Sequence, residues 1–190
     1  MNFEEAYLFH VYNRSNNGRI IFYSRENYLF FLEKLHKHLK PYCSILAWCL
    51  MPTHFHLLIR VNSIKPVGMN NDLNFSIGKM LSSYTRALQK ERMFKGSLFQ
   101  NHTKAKCLNR IEGLSLSYWE TEFGANINVG MDKYNYPSVC FNYIHMNPVF
   151  DGLVNSPEDW EYSSYRDYYC ERNGTLIDYD IAKEEDLYSN

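Results

Sequence analysis

The sequence predicts an α/β or α+β sandwich in which helices pack on one face of a sheet. Segments typical of strands and of helices alternate along the 190 residues, a length that suits one domain with a sizeable core. Hydrophobic residues make up 45% of the chain and charged residues 22%, proportions typical of globular proteins. We therefore expect one domain over residues 1–178, followed by an acidic, frayed tail at 179–190.

Strand, turn and helix signals follow one another in the first forty residues. Tyr7–Arg14 is rich in aromatic residues and predicts a strand. Asn16-Asn17-Gly18 predicts a turn, because Asn and Gly tolerate positive φ. Ser24 is a suitable N-cap for a first helix, whose apolar residues recur at spacings of three and four. Pro41 ends that helix.

Two further strands are predicted between Cys43 and Val61, joined at Met51-Pro52-Thr53. Side chains alternate between the faces of a strand, so the apolar residues from Phe55 to Val61 share one face. His54 and His56 share the other face. This register predicts two imidazoles side by side on the polar surface of one sheet.

The second half of the chain is less regular. An apolar stripe from Leu73 to Leu88 predicts a second helix, and Ser97–Gln100 resembles a short strand. Residues 108–137 hold no sustained period and predict an irregular or partly helical insertion. A third helix is predicted from Ser138 to Asn147, with Pro148 ending it.

The charges of the chain are separated along its length although the net charge is only −1. From Lys79 to Arg110 the balance is +7, and from Asp151 to the end it is −8. A basic stretch of this kind binds phosphates or forms a solvated helix face, and charge alone does not distinguish the two.

Targeting signals and disulfides are not expected. No apolar run approaches the roughly 20 residues of a membrane span, and the first residues lack the basic and apolar regions of a signal peptide. The five cysteines form no Cys-x-x-Cys pair, and their odd number favours reduced thiols. We therefore expect a cytoplasmic protein that does not engage a membrane.

Two short patterns carry chemistry, although each also arises by chance in a chain of this composition. A His-x-His pair on one strand face suits a shared divalent cation and leaves coordination positions open. Tyr143 and Asn147 are four residues apart and so lie on one helix face. An amide oxygen is a suitable ligand for a hard cation, and a phenol beside that cation is a candidate nucleophile. His145 points away from Tyr143, and Tyr84 lies in an apolar stripe that indicates packing.

Six stretches follow one another along the chain: HVYNRSNN at 10–17, ENYLFFLEKL at 26–35, LMPTHFHLLI at 50–59, GSLFQNHTKAKC at 96–107, YIHMNP at 143–148 and EDWEYSSYRDY at 158–168. The most specific combination is the third stretch with the fifth. In this order the stretches resemble the REP-associated tyrosine transposases of the HUH superfamily, which cut single-stranded DNA with one tyrosine. Two features depart from the family pattern: the segment between Cys107 and Tyr143 is longer, and Phe150-Asp151 stands where a basic residue is common.

The resemblance implies an α+β fold, with a ferredoxin-like antiparallel sheet that carries the His pair. It implies that His54, His56 and Asn147 bind a divalent cation, Mg²⁺ with Mn²⁺ as a substitute, and that Tyr143 is the nucleophile. The implied reaction is transesterification of DNA through a 5′-phosphotyrosine intermediate, without ATP.

The implied partner is single-stranded or hairpin DNA from REP-like repeats. The cations expected to contact its phosphates are Arg14, Arg86, Lys90, Lys95, Lys104 and Lys106. Two other functions remain open: a catalytically silent module that binds hairpin DNA or RNA, and a phosphodiesterase in which the His pair activates water. Both a monomer and a homodimer are compatible with the sequence.

Overall fold

Four antiparallel strands form the sheet that organises the molecule, in the order β2-β3-β1-β4. Their bounds are β1 Leu8–Arg14, β2 Cys43–Met51, β3 His54–Val61 and β4 Lys104–Cys107. The helices are α1 Arg25–Leu39, α2 Leu73–Arg92, α3 Tyr136–Phe150, α4 Tyr165–Tyr169 and α5 Tyr179–Glu184. The predicted α+β fold with an antiparallel sheet is confirmed.

The computed structural model describes residues 1–109 and 136–188 and the backbone of two short strands between them. These strands, β5 Trp119–Glu120 and β6 Asn126–Ile127, pair with each other. The predicted insertion at 108–137 otherwise lies almost entirely outside the described residues.

Helices cover both faces of the sheet, which differs from the expectation of helices on one face. Phe55 and Leu57 of β3 belong to a core that includes the apolar sides of α1 and α2. Leu58 lies on the opposite face of β3, in a second core with residues of α3. Strand β2 is buried along its whole length because it lies between these two layers. The face that carries the histidines is therefore an interior surface and not a polar one.

Helix α3 continues past Pro148, the residue predicted to end it. A proline lacks only its own N–H donor, and in the last turn of a helix that loss affects a single bond. The chain turns instead at Gly152, which has a φ of +66°, a value that glycine adopts at little cost. The amide of Leu153 donates to the Pro148 carbonyl, closing the helix end at 2.9 Å.

Residues 97–100 do not form the predicted strand. Phe99 makes one isolated bridge to Ser15, and regular pairing with β1 begins only at Lys104. The Asn16 side-chain amide donates to the backbone carbonyls of Ser97 and Phe99, at 3.2 and 2.8 Å. A side chain thus satisfies the carbonyls that a neighbouring strand would otherwise have bonded.

The two edges of the sheet differ. On the β2 edge, the amide of Leu50 donates to the Tyr162 carbonyl and the amide of Ser164 donates to the Trp48 carbonyl. Residues 160–178 therefore cover that edge. The β4 edge carries Lys104 and Lys106, which are both exposed.

The tail predicted to be frayed contains helix α5 over its first six residues. Asp178 caps this helix by accepting a hydrogen bond from the amide of Ile181. Ala182 and Leu187 are buried in the core beneath α3, and Glu185 forms an ion pair with Arg60 of β3. Apolar burial and a cap hold this segment in place, which its acidic composition does not reveal.

All five cysteines are free thiols, as predicted. Within the described residues, no helix is long and apolar enough to cross a membrane.

Candidate active site

The site lies where the start of β3 meets the last turns of α3. Met51, Pro52 and Thr53 turn the chain between β2 and β3, so that His54 is the first residue of its strand. The rings of His54 and His56 are 5.1 Å apart between centroids and nearly perpendicular. Both side chains are buried, at 4% and 0% exposure. The predicted placement of both imidazoles on one face is what the structure shows.

His54 is held between two oxygen atoms. Its Nδ1 lies 3.1 Å from Thr53 Oγ1, and its Nε2 lies 3.3 Å from Asn147 Oδ1. Asn147 is 3% exposed, and its side-chain Nδ2 has no hydrogen-bond partner among the described residues. The strand pair and the third helix thus bring together one His nitrogen and one amide oxygen that the sequence assigned to the same site.

Tyr143 lies one helical turn before Asn147 and packs edge-on against His56, with ring centroids 5.6 Å apart. Its ring also stacks on Phe150 at 6.3 Å. Its side chain is 4% exposed. All four residues singled out for chemistry therefore meet at one place: His54, His56, Tyr143 and Asn147.

Burial favours the neutral form of the histidines on this face. It lowers the pKa of His54, although the Asn147 hydrogen bond and the Asp151 carboxylate oppose the shift. Burial lowers the pKa of His56 well below its ordinary value, and His10 and His54 add to the effect. A neutral imidazole has a free electron pair, which is what a metal ligand requires.

These residues fit a divalent cation. When the His54 proton is on Nδ1, donated to Thr53, the Nε2 electron pair and the Asn147 oxygen are two ligand atoms 3.3 Å apart. Adjacent ligands about 2.1 Å from an octahedral cation lie about 3 Å apart, so the separation suits one shared ion. Among the described residues no group of three His, Cys, Asp or Glu is placed to hold a metal ion, and the Asn147 amide oxygen is the further donor atom that lies beside His54.

Three of the six predicted DNA-binding cations lie on the histidine face. Arg14 pairs with His54 across β1 and β3, and Lys104 and Lys106 pair with Tyr12 and His10 across β1 and β4. The Lys106 ammonium group donates to Tyr136 Oη at 2.8 Å, at the first residue of α3. A band of positive charge therefore runs from the site to the β4 edge.

The other three cations, Arg86, Lys90 and Lys95, lie on or just after α2, in the layer on the opposite side of the sheet. Arg86 lines a groove of about 490 Å³ between α2 and residues 96–103. The wall formed by this segment is fixed by Asn13, whose side-chain amide donates to Gln100 O and Thr103 Oγ1. The predicted cations thus form two groups, on two layers that meet at the β4 edge.

Two residues weighed as alternatives have structural roles. Tyr84 is 1% exposed and donates its hydroxyl to the Ile21 carbonyl at 2.9 Å, within the α1–α2 core. His145 is buried and lies 2.7 Å from Ser164 Oγ, which in turn contacts the backbone of Trp48. Through Ser164, which precedes α4, these two contacts connect α3 to β2.

His10 is part of the site although the sequence did not single it out. Its Nε2 lies 2.8 Å from His56 Nδ1, and both side chains are 0% exposed. Burial, with the charge of Lys106, lowers the pKa of His10 to about 3. The signal that could have found it is the period of β1, which places His10 and Tyr12 opposite the apolar Phe9 and Val11.

Comparisons with known proteins bear on the family resemblance and on the fold. No protein-family model matches the chain. A Haemophilus influenzae protein named as a REP-associated tyrosine transposase is 30% identical over 123 residues, which are 63% of this chain. The matched region spans 57% of that relative's own length.

A solved structure of the REP-associated tyrosine transposase bound to a REP hairpin superposes with a TM-score of 0.58. The superposition covers 94% of this chain and 92% of the other, at 17% identity. The chain has the fold of a REP-associated tyrosine transposase. The resemblance first seen in the sequence motifs is therefore confirmed by a relative in sequence and by a neighbour in structure.

Proposed function

We propose that this chain is a REP-associated tyrosine transposase that cuts and rejoins single-stranded, hairpin-forming DNA through Tyr143. The observation that carries the proposal is the convergence of His54, His56, Tyr143 and Asn147 from two separate elements. The spacing of the two histidines and the spacing of the tyrosine and asparagine are each common in sequences. The meeting of these two pairs in one buried site is a property of the fold.

The proposed reaction is an exchange of phosphodiester bonds. The Tyr143 hydroxyl oxygen attacks a DNA phosphorus and loses its proton, while the bond from phosphorus to the 3′ oxygen breaks. The products are a 5′-phosphotyrosine link and a free 3′-hydroxyl, which carries a proton. The energy of the broken bond is retained in the phosphotyrosine, so a later 3′-hydroxyl can rejoin the strand without ATP.

His54, His56 and Asn147 would hold the divalent cation, Mg²⁺ or Mn²⁺, in this proposal. When bound, the cation polarises the phosphate oxygens and stabilises the charge of the transition state. The protein's own contribution is positional. Helix α3 carries both the nucleophile and the amide ligand one turn apart, so any shift of α3 moves the two together.

The charge distribution supports a DNA path across the β4 edge. Arg14 and Lys104 lie beside the histidines, and Arg86 lies in the groove on the adjoining layer. The opposite edge is covered by residues 160–178, within the chain's acidic last part. Phosphates are therefore attracted to one edge of the sheet and repelled from the other.

The test is a denaturing gel with single-stranded hairpin oligonucleotides taken from the DNA that flanks the gene. A label on the 3′ end follows the fragment that becomes attached to tyrosine, and a label on the 5′ end follows the released fragment with its 3′-hydroxyl. We expect a slowly migrating 3′-labelled adduct with Mn²⁺, and none with EDTA or in Tyr143→Phe.

Tyr84→Phe is the matched control, because Tyr84 is also buried but lies on the other side of the sheet. Its adduct should form at the rate of the unmodified chain. An adduct that persists in Tyr143→Phe would refute the assignment of the nucleophile. Hairpin binding without any adduct would favour the silent binding module, and cleavage without an adduct would favour a phosphodiesterase that activates water.

A further inference from the structure

We infer that His10 is a positioning residue, which accepts a hydrogen bond from His56 and so directs the other nitrogen of His56 toward the cation. The inference rests on the proposed cation site and adds to it a residue outside the ligand set. The observation that carries it is the 2.8 Å contact between His10 Nε2 and His56 Nδ1, inside a fully buried pair of rings.

The contact is fixed by the sheet itself. His10 pairs with Leu58 and Tyr12 pairs with His56 in the β1–β3 ladder, so His10 is the diagonal neighbour of His56 on the same face. The two imidazoles stack with centroids 5.0 Å apart and planes at 21°, while Tyr12 stacks on His56 and packs at a tilt against His10. Strand pairing and ring stacking leave the two nitrogen atoms little freedom to separate.

A hydrogen bond between two neutral imidazoles uses one proton, and its direction decides whether His56 Nε2 can bind a cation. If His56 donates from Nδ1, its Nε2 has a free electron pair that can bind a cation. If His10 donates instead, the His56 proton is on Nε2 and that nitrogen cannot be a ligand. Histidine ligands commonly donate their second N–H to a buried acceptor, which fixes the tautomer and the ring orientation.

His10 also lies beside the basic β4 edge. Lys106 pairs with His10 across β1 and β4, so the ring lies between a ligand histidine and an exposed cation of the β4 edge. His10 is thus the side chain between the β4 edge, where the proposed DNA path lies, and the ligand His56.

The first test reads the tautomer directly in the unmodified chain. Long-range ¹H–¹⁵N correlation spectra distinguish the two neutral forms of histidine, and the His56 signals are assigned by their loss in His56→Gln. We expect His56 to carry its proton on Nδ1. A proton on Nε2 would overturn the inference, and this outcome does not depend on whether DNA is cut.

The second test measures Mn²⁺ affinity by calorimetry. His10→Leu removes the acceptor and should weaken Mn²⁺ binding by about 10- to 100-fold. His10→Gln places an amide oxygen near the position of Nε2 and should restore most of the affinity. Equal loss in both variants, or no loss in His10→Leu, would overturn the inference.

Asn13→Ala is the control for simple destabilisation of β1. Asn13 is buried in the same strand but faces the other side of the sheet, where it bonds Gln100 and Thr103. Its loss should lower the melting temperature while Mn²⁺ affinity stays unchanged. If DNA is not cut but the His56 tautomer and the Mn²⁺ affinities are as expected, His10 still orients a metal ligand and only the proposed reaction is wrong. If DNA is cut but the tautomer and the affinities are not as expected, only the role of His10 is wrong.

Discussion

Acid should destabilise this protein through its buried histidines, well before the carboxylates titrate. Burial lowers the pKa of His145 to about 3, and burial with the nearby Lys106 charge lowers the pKa of His10 to about 3. An unfolded histidine titrates near 6.5. Below that pH the unfolded chain therefore binds more protons than the folded one. The free energy of unfolding keeps its full value above pH 6.5 and falls as the pH drops toward 3.

The size of the effect follows from the two pKa values. Between pH 7.5 and 5.0 each of these histidines should remove about 2 kcal/mol from the free energy of unfolding, about 4 kcal/mol together. His56 adds to the loss, because burial lowers its pKa in the same direction. Domains of this size have total stabilities of about 5–15 kcal/mol, so the loss is a large part of the whole.

Urea unfolding at pH 7.5, 6.0 and 5.0, in EDTA to remove bound metal, measures this slope. His145→Gln keeps a polar partner for Ser164 and cannot be protonated, so it should lose about 2 kcal/mol of the pH dependence. His145 donates no ligand to the proposed cation site. A free energy of unfolding that changes by less than about 1 kcal/mol in the unmodified chain would refute the reasoning.

Three further predictions concern packing, a close approach and charge. Phe55→Ala should cost about 3–5 kcal/mol in urea unfolding, because the ring is fully buried; an unchanged midpoint would mean that the register of β3 is wrong. Gly174→Ala should cost about 1–3 kcal/mol, because a Cβ would lie 2.6 Å from the buried Asp167 carboxylate, whereas Gly78→Ala in α2 meets open space and should be neutral or stabilising. Lys104→Ala should weaken hairpin binding and lower the slope of log affinity against log salt by about 0.7–0.9, as measured by fluorescence anisotropy. Lys183→Ala, on α5, should leave that slope unchanged, and equal slopes for all three proteins would argue against a DNA path along β4.

The predictable part of the site is the part set by local periodicity. Alternation along β3 places His54 and His56 together whatever the rest of the fold does, and four-residue spacing does the same for Tyr143 and Asn147. Their meeting was expected from the resemblance alone, because no local pattern says which face of the sheet a distant helix covers.

The features that were missed depend on contacts between distant segments. The role of His10 depends on the pairing of β1 with β3, in which a shift of one residue would move it to the other face. Helix α3 continues past Pro148 to Phe150, because the missing N–H of Pro148 affects only one bond in a final turn, and the chain then turns at the left-handed Gly152. The acidic end of the chain is anchored by two apolar side chains, Ala182 and Leu187, which a count of charges overlooks.

The cover on the β2 edge has a consequence for how the chain can be shortened. Residues 160–178 supply the backbone partners of Trp48 and Leu50, and the Trp160 indole donates to the Leu50 carbonyl at 3.2 Å. A chain cut before Trp160 would keep every residue of the proposed site but leave a long apolar strand with unpaired N–H and C=O groups. Such an edge pairs readily with another copy of itself, so loss of this segment should show first as aggregation and only afterwards as lost activity.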